Sequence, residues 1–140
     1  MGQRGHCKSR GLYFFYGNVN EKHQLGTGFF GHYRKISAVK RVEFVSNRMM
    51  SYIVLRGRWC IIVVLNVLAP SEEKRYITKG SFYKELELVF DHFPKKHMNI
   101  PLGDFNEKLG RHCIVKPTIW KEGIHQDCND NGVRIVNFAT

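Results

Sequence analysis

The run Trp59-Cys-Ile-Ile-Val-Val-Leu-Asn-Val-Leu68 constrains the chain most, because its nearly continuous apolar, largely β-branched side chains offer no polar face to water. It falls well short of the ~18 residues of a membrane span. It also lacks helical periodicity, so it predicts a strand buried on both faces. Such a strand needs neighbours, and Leu12–Tyr16, Gly28–His32, Val42–Ser46 and Ser51–Leu55 supply them. After a connection over Ala69–Lys79, the residues Phe82, Leu86, Val89, Phe90 and Phe93 recur at helical spacing. They predict a helix from Ser81 to Phe93, with Ser81 as its cap. Met98–Leu102 predicts a further strand, Gly110–Asp130 is irregular, and Asn131–Thr140 opens another helix. Strand, helix and strand in that order imply an α/β fold with a sheet packed against helices. Pro101 has no N–H to donate, so its strand is expected either at a sheet edge or under strain.

Charge is unevenly placed: residues 1–58 carry eleven Lys/Arg and two acids, whereas residues 59–140 carry eleven and ten. The basic block raises the expectation of a polyanionic partner. Residues 1–11, cationic and without periodicity, read as a disordered leader before a single domain over 12–140. The four cysteines form no C-x-x-C pair, so no disulfide framework is expected and Cys60 reads as a small core residue. With no signal sequence and no membrane span, the chain reads as nuclear or cytoplasmic and not secreted.

Three motifs fail their contextual tests. Gly26-Thr-Gly28-Phe-Phe-Gly31 follows no apolar strand and opens no helix, so neither a nicotinamide nor a flavin cofactor is expected. Asp127-Cys-Asn129-Asp-Asn131-Gly132 imitates a calcium loop, but Phe138 stands where the bidentate Glu belongs, and a turn capping the next helix is expected instead. His112, Cys113, His125 and Cys128 have no zinc-site spacing.

Gly103-Asp104-Phe105-Asn106 is different, since a carboxylate and a carboxamide two residues apart at the end of an apolar strand project together. The pair suits phosphoryl chemistry. Asp104 can orient or deprotonate a water or hold a hydrated magnesium ion, while Asn106 donates to a phosphate oxygen without repelling it.

Together with G-D-F-N-E-K-L-G (Gly103–Gly110), the segments Asn20–Phe30, Ile36–Ser46, Ser51–Cys60, Asn66–Ser71 and Asn129–Ala139 carry a wider likeness. On these segments the chain resembles the endonuclease/exonuclease/phosphatase superfamily, and most closely the apurinic-type endonuclease domain of non-LTR retrotransposons and the related craniofacial development protein 2-like family. The resemblance implies a two-sheet α/β sandwich, incomplete here at both ends, and magnesium-dependent cleavage of DNA phosphodiesters. It implies that Asp104 activates the water and binds the metal, that Asn106 holds the scissile phosphate, and that Ser71 contacts nucleic acid. Arg34, Lys35, Lys40 and Arg41 are then expected on the DNA backbone. Where the family has Tyr or His before A-P, this chain has Leu68, and the family's Q-E and S-D-H motifs have no counterpart. The chain therefore reads as the middle of the domain, with weak or no activity. The rival expectations are a non-catalytic remnant that binds nucleic acid through its basic part, and a phosphatase of the same superfamily acting on a phosphorylated lipid or sugar.

Overall fold

A computed structural model of the chain describes residues 5–17, 26–45, 49–71, 73, 76–108 and 128–139. The chain divides into two compact units, one of Met1–Leu68 with His92–Gly103 and one of Ala69–Asp91 with Asp104–Thr140. Arg48, His112, Cys113, His125, Asp127 and the segment 109–127 lie outside the described residues.

The first unit holds two sheets among its described residues. In one, β1 (Gly5–Ser9), β2 (Leu12–Tyr16) and β3 (Gly28–His32) pair antiparallel in chain order. The other has the order β4-β5-β6-β7, from Val39–Val45, Met50–Arg56, Ile61–Leu68 and Met98–Asp104. A 3-10 helix over Tyr33–Ala38 carries the chain from β3 to β4. Phe15, Phe29 and Gly31 of the first sheet, with Ile53, Leu55 and Val64 of the second, line a cavity of about 330 Å³, so the two sheets face one another. Asn66 spans the gap with a hydrogen bond to the Gly28 carbonyl at 3.1 Å.

The leader departs from expectation. Gly5–Ser9 is a strand, because Ser9 faces Leu12 across a two-residue turn in which Arg10 and Gly11 have φ of 47° and 79°. Positive φ at both positions matches the right-handed strand twist, and the resulting hairpin gives β1 a partner.

β6 is the expected strand, but it is buried on one face and not on both. Val63, Leu65 and Val67 are fully buried on one face, and Val64, Asn66 and Leu68 are half-buried on the other. The strand starts later than the apolar run, however. Gly57 donates its N–H to the Cys60 carbonyl at 3.0 Å, so Arg58, Trp59 and Cys60 form a tight turn and Trp59 stands 88% exposed. Cys60 is a half-buried free thiol in that turn. Of the two outcomes open to Pro101, the edge is the one seen among the described residues, where β7 ends the sheet order.

In the second unit α1 (Tyr76–Asp91) begins five residues before Ser81, which therefore caps nothing. Gly80 and Ser81 are poor helix formers and imitate a boundary, yet Lys79, Phe82, Tyr83 and Leu86 are buried together, and burial outweighs propensity. α2 (Asp130–Ala139) meets α1 where Phe90 and Phe138 pack edge to face, with ring centroids 5.3 Å apart. Cys128 is in a disulfide, contrary to expectation, because pairing follows Cα proximity in space, which sequence spacing does not report. No helix among the described residues is long and apolar enough to cross a membrane.

Leu65 is fully buried in the strand that carries the second sheet. Leu65→Ala is expected to lower unfolding stability by about 2–5 kcal/mol in urea titration, as large-to-small core changes do. Phe30→Ala, at a side chain 68% exposed, is expected to change it far less.

Candidate functional site

The glycine of G-D-F-N has a steric reason. Gly103 has φ of 140°, and a Cβ there would collide with the Val67 carbonyl, so β7 approaches β6 more closely than a side chain permits. Beyond it, Asp104 belongs to the second unit and is held on the backbone side, its carbonyl accepting from the Ala69 N–H at 2.8 Å.

The next residues form a tight turn. Asp104 Oδ1 accepts the Asn106 N–H at 2.9 Å, and Asn106 sits at φ of 48°, a left-handed conformation that Asn tolerates. Asn106 Nδ2 donates to the Ala69 carbonyl at 2.7 Å. Asp104 is exposed, and its Oδ2 has no protein partner among the described residues. One N–H of Asn106 is thus engaged within the protein, while its second N–H and its Oδ1 have no partner among the described residues.

Two further asparagines fix this turn. Asn129 Nδ2 and Asn131 Nδ2 donate to the Asn106 carbonyl at 2.9 and 3.2 Å, and Asn131 Nδ2 also reaches the Pro70 carbonyl at 3.0 Å. Asn129 Oδ1 accepts from the Gly132 N–H at 2.8 Å, which makes it the N-cap of α2, and from the Lys108 N–H at 2.9 Å. The expected helix-capping turn is therefore present, and the oxygen at the third position of the calcium-like motif is spent on it. Asn131 is fully buried, and its Oδ1 has no partner among the described residues. Turning its amide over would set that oxygen against two carbonyl oxygens, so the observed orientation is the favourable one.

Below the turn, Asp130 at the start of α2 accepts from Arg134 Nε at 3.0 Å and lies 3.8 Å from the buried Lys79 ammonium. Tyr83 donates its hydroxyl to the Asn131 carbonyl at 3.4 Å. Burial, helped by the charges of Glu107 and Asp130 and opposed by Arg134, pushes its phenol up to about 12. Tyr83 thus stays a neutral donor throughout the physiological range.

Of the residues singled out from sequence, Asp104 and Asn106 share one turn in the second unit, and Ser71, exposed, follows directly on the Ala69-Pro70 carbonyls that receive Asn106 and Asn131. Arg34, Lys35, Lys40 and Arg41 are exposed in the first unit. Arg41 is paired with Glu43, Nε to Oε1 at 2.8 Å. Sequence reasoning read Asn129 and Asn131 only as a turn. Their spacing, with Gly132 following, was the available signal, but acceptors more than 20 residues away were not legible. Among the described residues no three of His, Cys, Asp and Glu gather as a metal cage. Magnesium needs less from a protein, since one or two carboxylates suffice when water and substrate phosphate complete its shell. Asp104 Oδ2 and Asn106 Oδ1, without partners among the described residues, are hard oxygens of that type. Comparison with protein-family models, with curated proteins and with solved structures finds no match.

Two outcomes follow from this geometry. Asn131→Ala is expected to cost about 1–3 kcal/mol of unfolding stability, because it leaves the buried carbonyls of Pro70 and Asn106 without that donor. In an alkaline absorbance titration Tyr83 is expected to ionise only at about 12, above the ordinary phenol value of 10.0. Because its folded pKa is raised, its contribution to stability is fully present below the unfolded value of 10.0 and is lost as pH rises through about 12.

Proposed function

We propose that this chain carries part of a magnesium-dependent phosphodiesterase of the endonuclease/exonuclease/phosphatase type, of retrotransposon ancestry, with DNA as its substrate. The observation that carries this reading is the turn at the end of β7. It exposes one carboxylate oxygen of Asp104 while anchoring Asn106 by its carbonyl and one amide hydrogen. Asp104 Oδ2 is the group that orients the attacking water and takes its proton. The second N–H of Asn106 is directed to a non-bridging phosphate oxygen and brings no charge that would repel it. Asp104 would also hold a hydrated magnesium ion, which when bound would supply Lewis-acid stabilisation of the charge that develops on phosphate. Supporting the reading are the two facing sheets, the strand-terminal position of G-D-F-N, and the sequence likeness over the segments quoted above. Leu68, a residue with no polar group, stands where the family has Tyr or His, so catalysis is expected to be weak.

A second reading has its own observation. Arg34, Lys35 and Lys40 are exposed in a unit whose described residues up to Leu68 contain one acid, Glu43, engaged by Arg41. A nucleic-acid-binding remnant needs these cations and nothing from Asp104.

Nicking of supercoiled plasmid separates the two. The hydrolytic reading expects magnesium-dependent nicking that EDTA abolishes and that Asp104→Ala or Asn106→Ala lowers by about 100-fold or more. Nicking that survives Asp104→Ala contradicts it. Salt-sensitive DNA binding without nicking assigns the chain to the second reading.

A further inference from the structure

We propose that the end of the first unit carrying Tyr33, Arg34, Arg58 and Trp59 is a stacking platform for single-stranded nucleic acid. The inference goes beyond hydrolysis at Asp104 and rests only on the nucleic-acid reading of the cationic unit.

The topology brings these residues to one end. β3 stops at His32, the 3-10 helix starts at Tyr33, and β4 enters with Val39 paired to Leu55. Arg56 pairs with Ile61, so the turn carrying Arg58 and Trp59 closes the same end of the second sheet. The Arg10-Gly11 hairpin turn joins them there, since the Gly11 carbonyl accepts from the Tyr33 N–H at 2.9 Å. Arg10, Arg34, Lys35, Lys40, Arg56 and Arg58 thus share this end, and the single described acid of the region, Glu43, lies along β4 against Arg41.

Charge alone would fit any polyanion, but the aromatics narrow the choice. Trp59 is 88% exposed on a turn held by the Gly57 to Cys60 hydrogen bond, so its indole is presented to solvent and not packed. The Arg58 guanidinium lies over one face at 5.2 Å from the ring centroid and leaves the other face for a base. Tyr33, 49% exposed, is more enclosed: the His32 ring centroid lies 4.6 Å from its own, Arg34 sits 5.7 Å from its centroid and donates Nε to its hydroxyl at 3.0 Å, so Trp59 is the more open of the two rings. Each aromatic is thus paired with a cation that can also reach a phosphate. A strand with splayed bases uses both groups, stacking on the rings and placing phosphates on the guanidinium groups. In a duplex the bases are already stacked, so only the cations would be used and Trp59 would remain in water.

The test is fluorescence anisotropy with labelled oligo(dT), oligo(U) and a mixed-sequence duplex of about 15 nucleotides. It uses the full chain in EDTA, at about 50 and 200 mM salt. Both single strands are expected to bind more tightly than the duplex and to weaken as salt rises. Trp59→Ala is expected to weaken single-strand binding about tenfold, with Trp59→Phe recovering most of the loss and Lys84→Ala, an exposed cation elsewhere, having no effect. Unfolding midpoints matching wild type exclude misfolding at these exposed positions. Duplex preference, or Trp59→Ala binding like wild type, overturns the platform while leaving the nucleic-acid reading standing. Failure of all three probes to bind at low salt overturns both.

Discussion

The close approach of Gly103 to the Val67 carbonyl is the constraint on which the candidate site depends. No residue with a Cβ fits there, so the backbone of β7 can lie where it does against β6 only with glycine at this step. The consequence appears one residue later. Asp104 passes its carbonyl to the Ala69 N–H, and Asn106 then turns back to give its amide to the Ala69 carbonyl. The carboxylate is placed by backbone geometry first and by side-chain bonding second.

What holds the turn is a set of neutral amides and not a set of charges. Asn129 and Asn131 spend their Nδ2 groups on the Asn106 carbonyl, and Asn129 spends its oxygen on the first turn of α2. Neutral donors orient the turn without placing a cation that would pair with the carboxylate, which a lysine or arginine in the same place would do. The charges nearby, Lys79, Asp130 and Arg134, are satisfied among themselves. Tyr83, kept protonated by burial, ties α1 to the start of α2 beneath the asparagines.

Much of this was legible locally. Leu12–Tyr16 and Gly28–His32 are strands with the boundaries that their composition indicates, and the buried stripe of Phe82 and Leu86 follows from helical spacing. Boundaries failed where a local rule met a tertiary one. The Arg10-Gly11 turn lacks the Asn-Gly signature of a hairpin, so β1 was hidden. Gly80 and Ser81 concealed the first turn of α1. Trp59 extends an apolar run in sequence but sits in a turn, because hydrophobicity by itself cannot tell a strand from the loop that enters it. Asp104 and Asn106 were readable as a pair. The anchoring by Asn129 and Asn131 was not, because it is a contact across a long stretch of chain.

The cations and the carboxylate fall in different compact units, so the proposed nucleic-acid binding and the proposed phosphodiester chemistry would make separate demands on this chain. The central claim is that Asp104 and Asn106 form a metal-dependent site, and an amide chemical-shift map of the isotope-labelled chain during magnesium titration tests it directly. The account predicts saturable shifts at Asp104, Phe105 and Asn106, absent in Asp104→Ala, with the amides of Arg34 and Trp59 unmoved. Shifts that leave Asp104 to Asn106 unchanged, or that persist in Asp104→Ala, would contradict it.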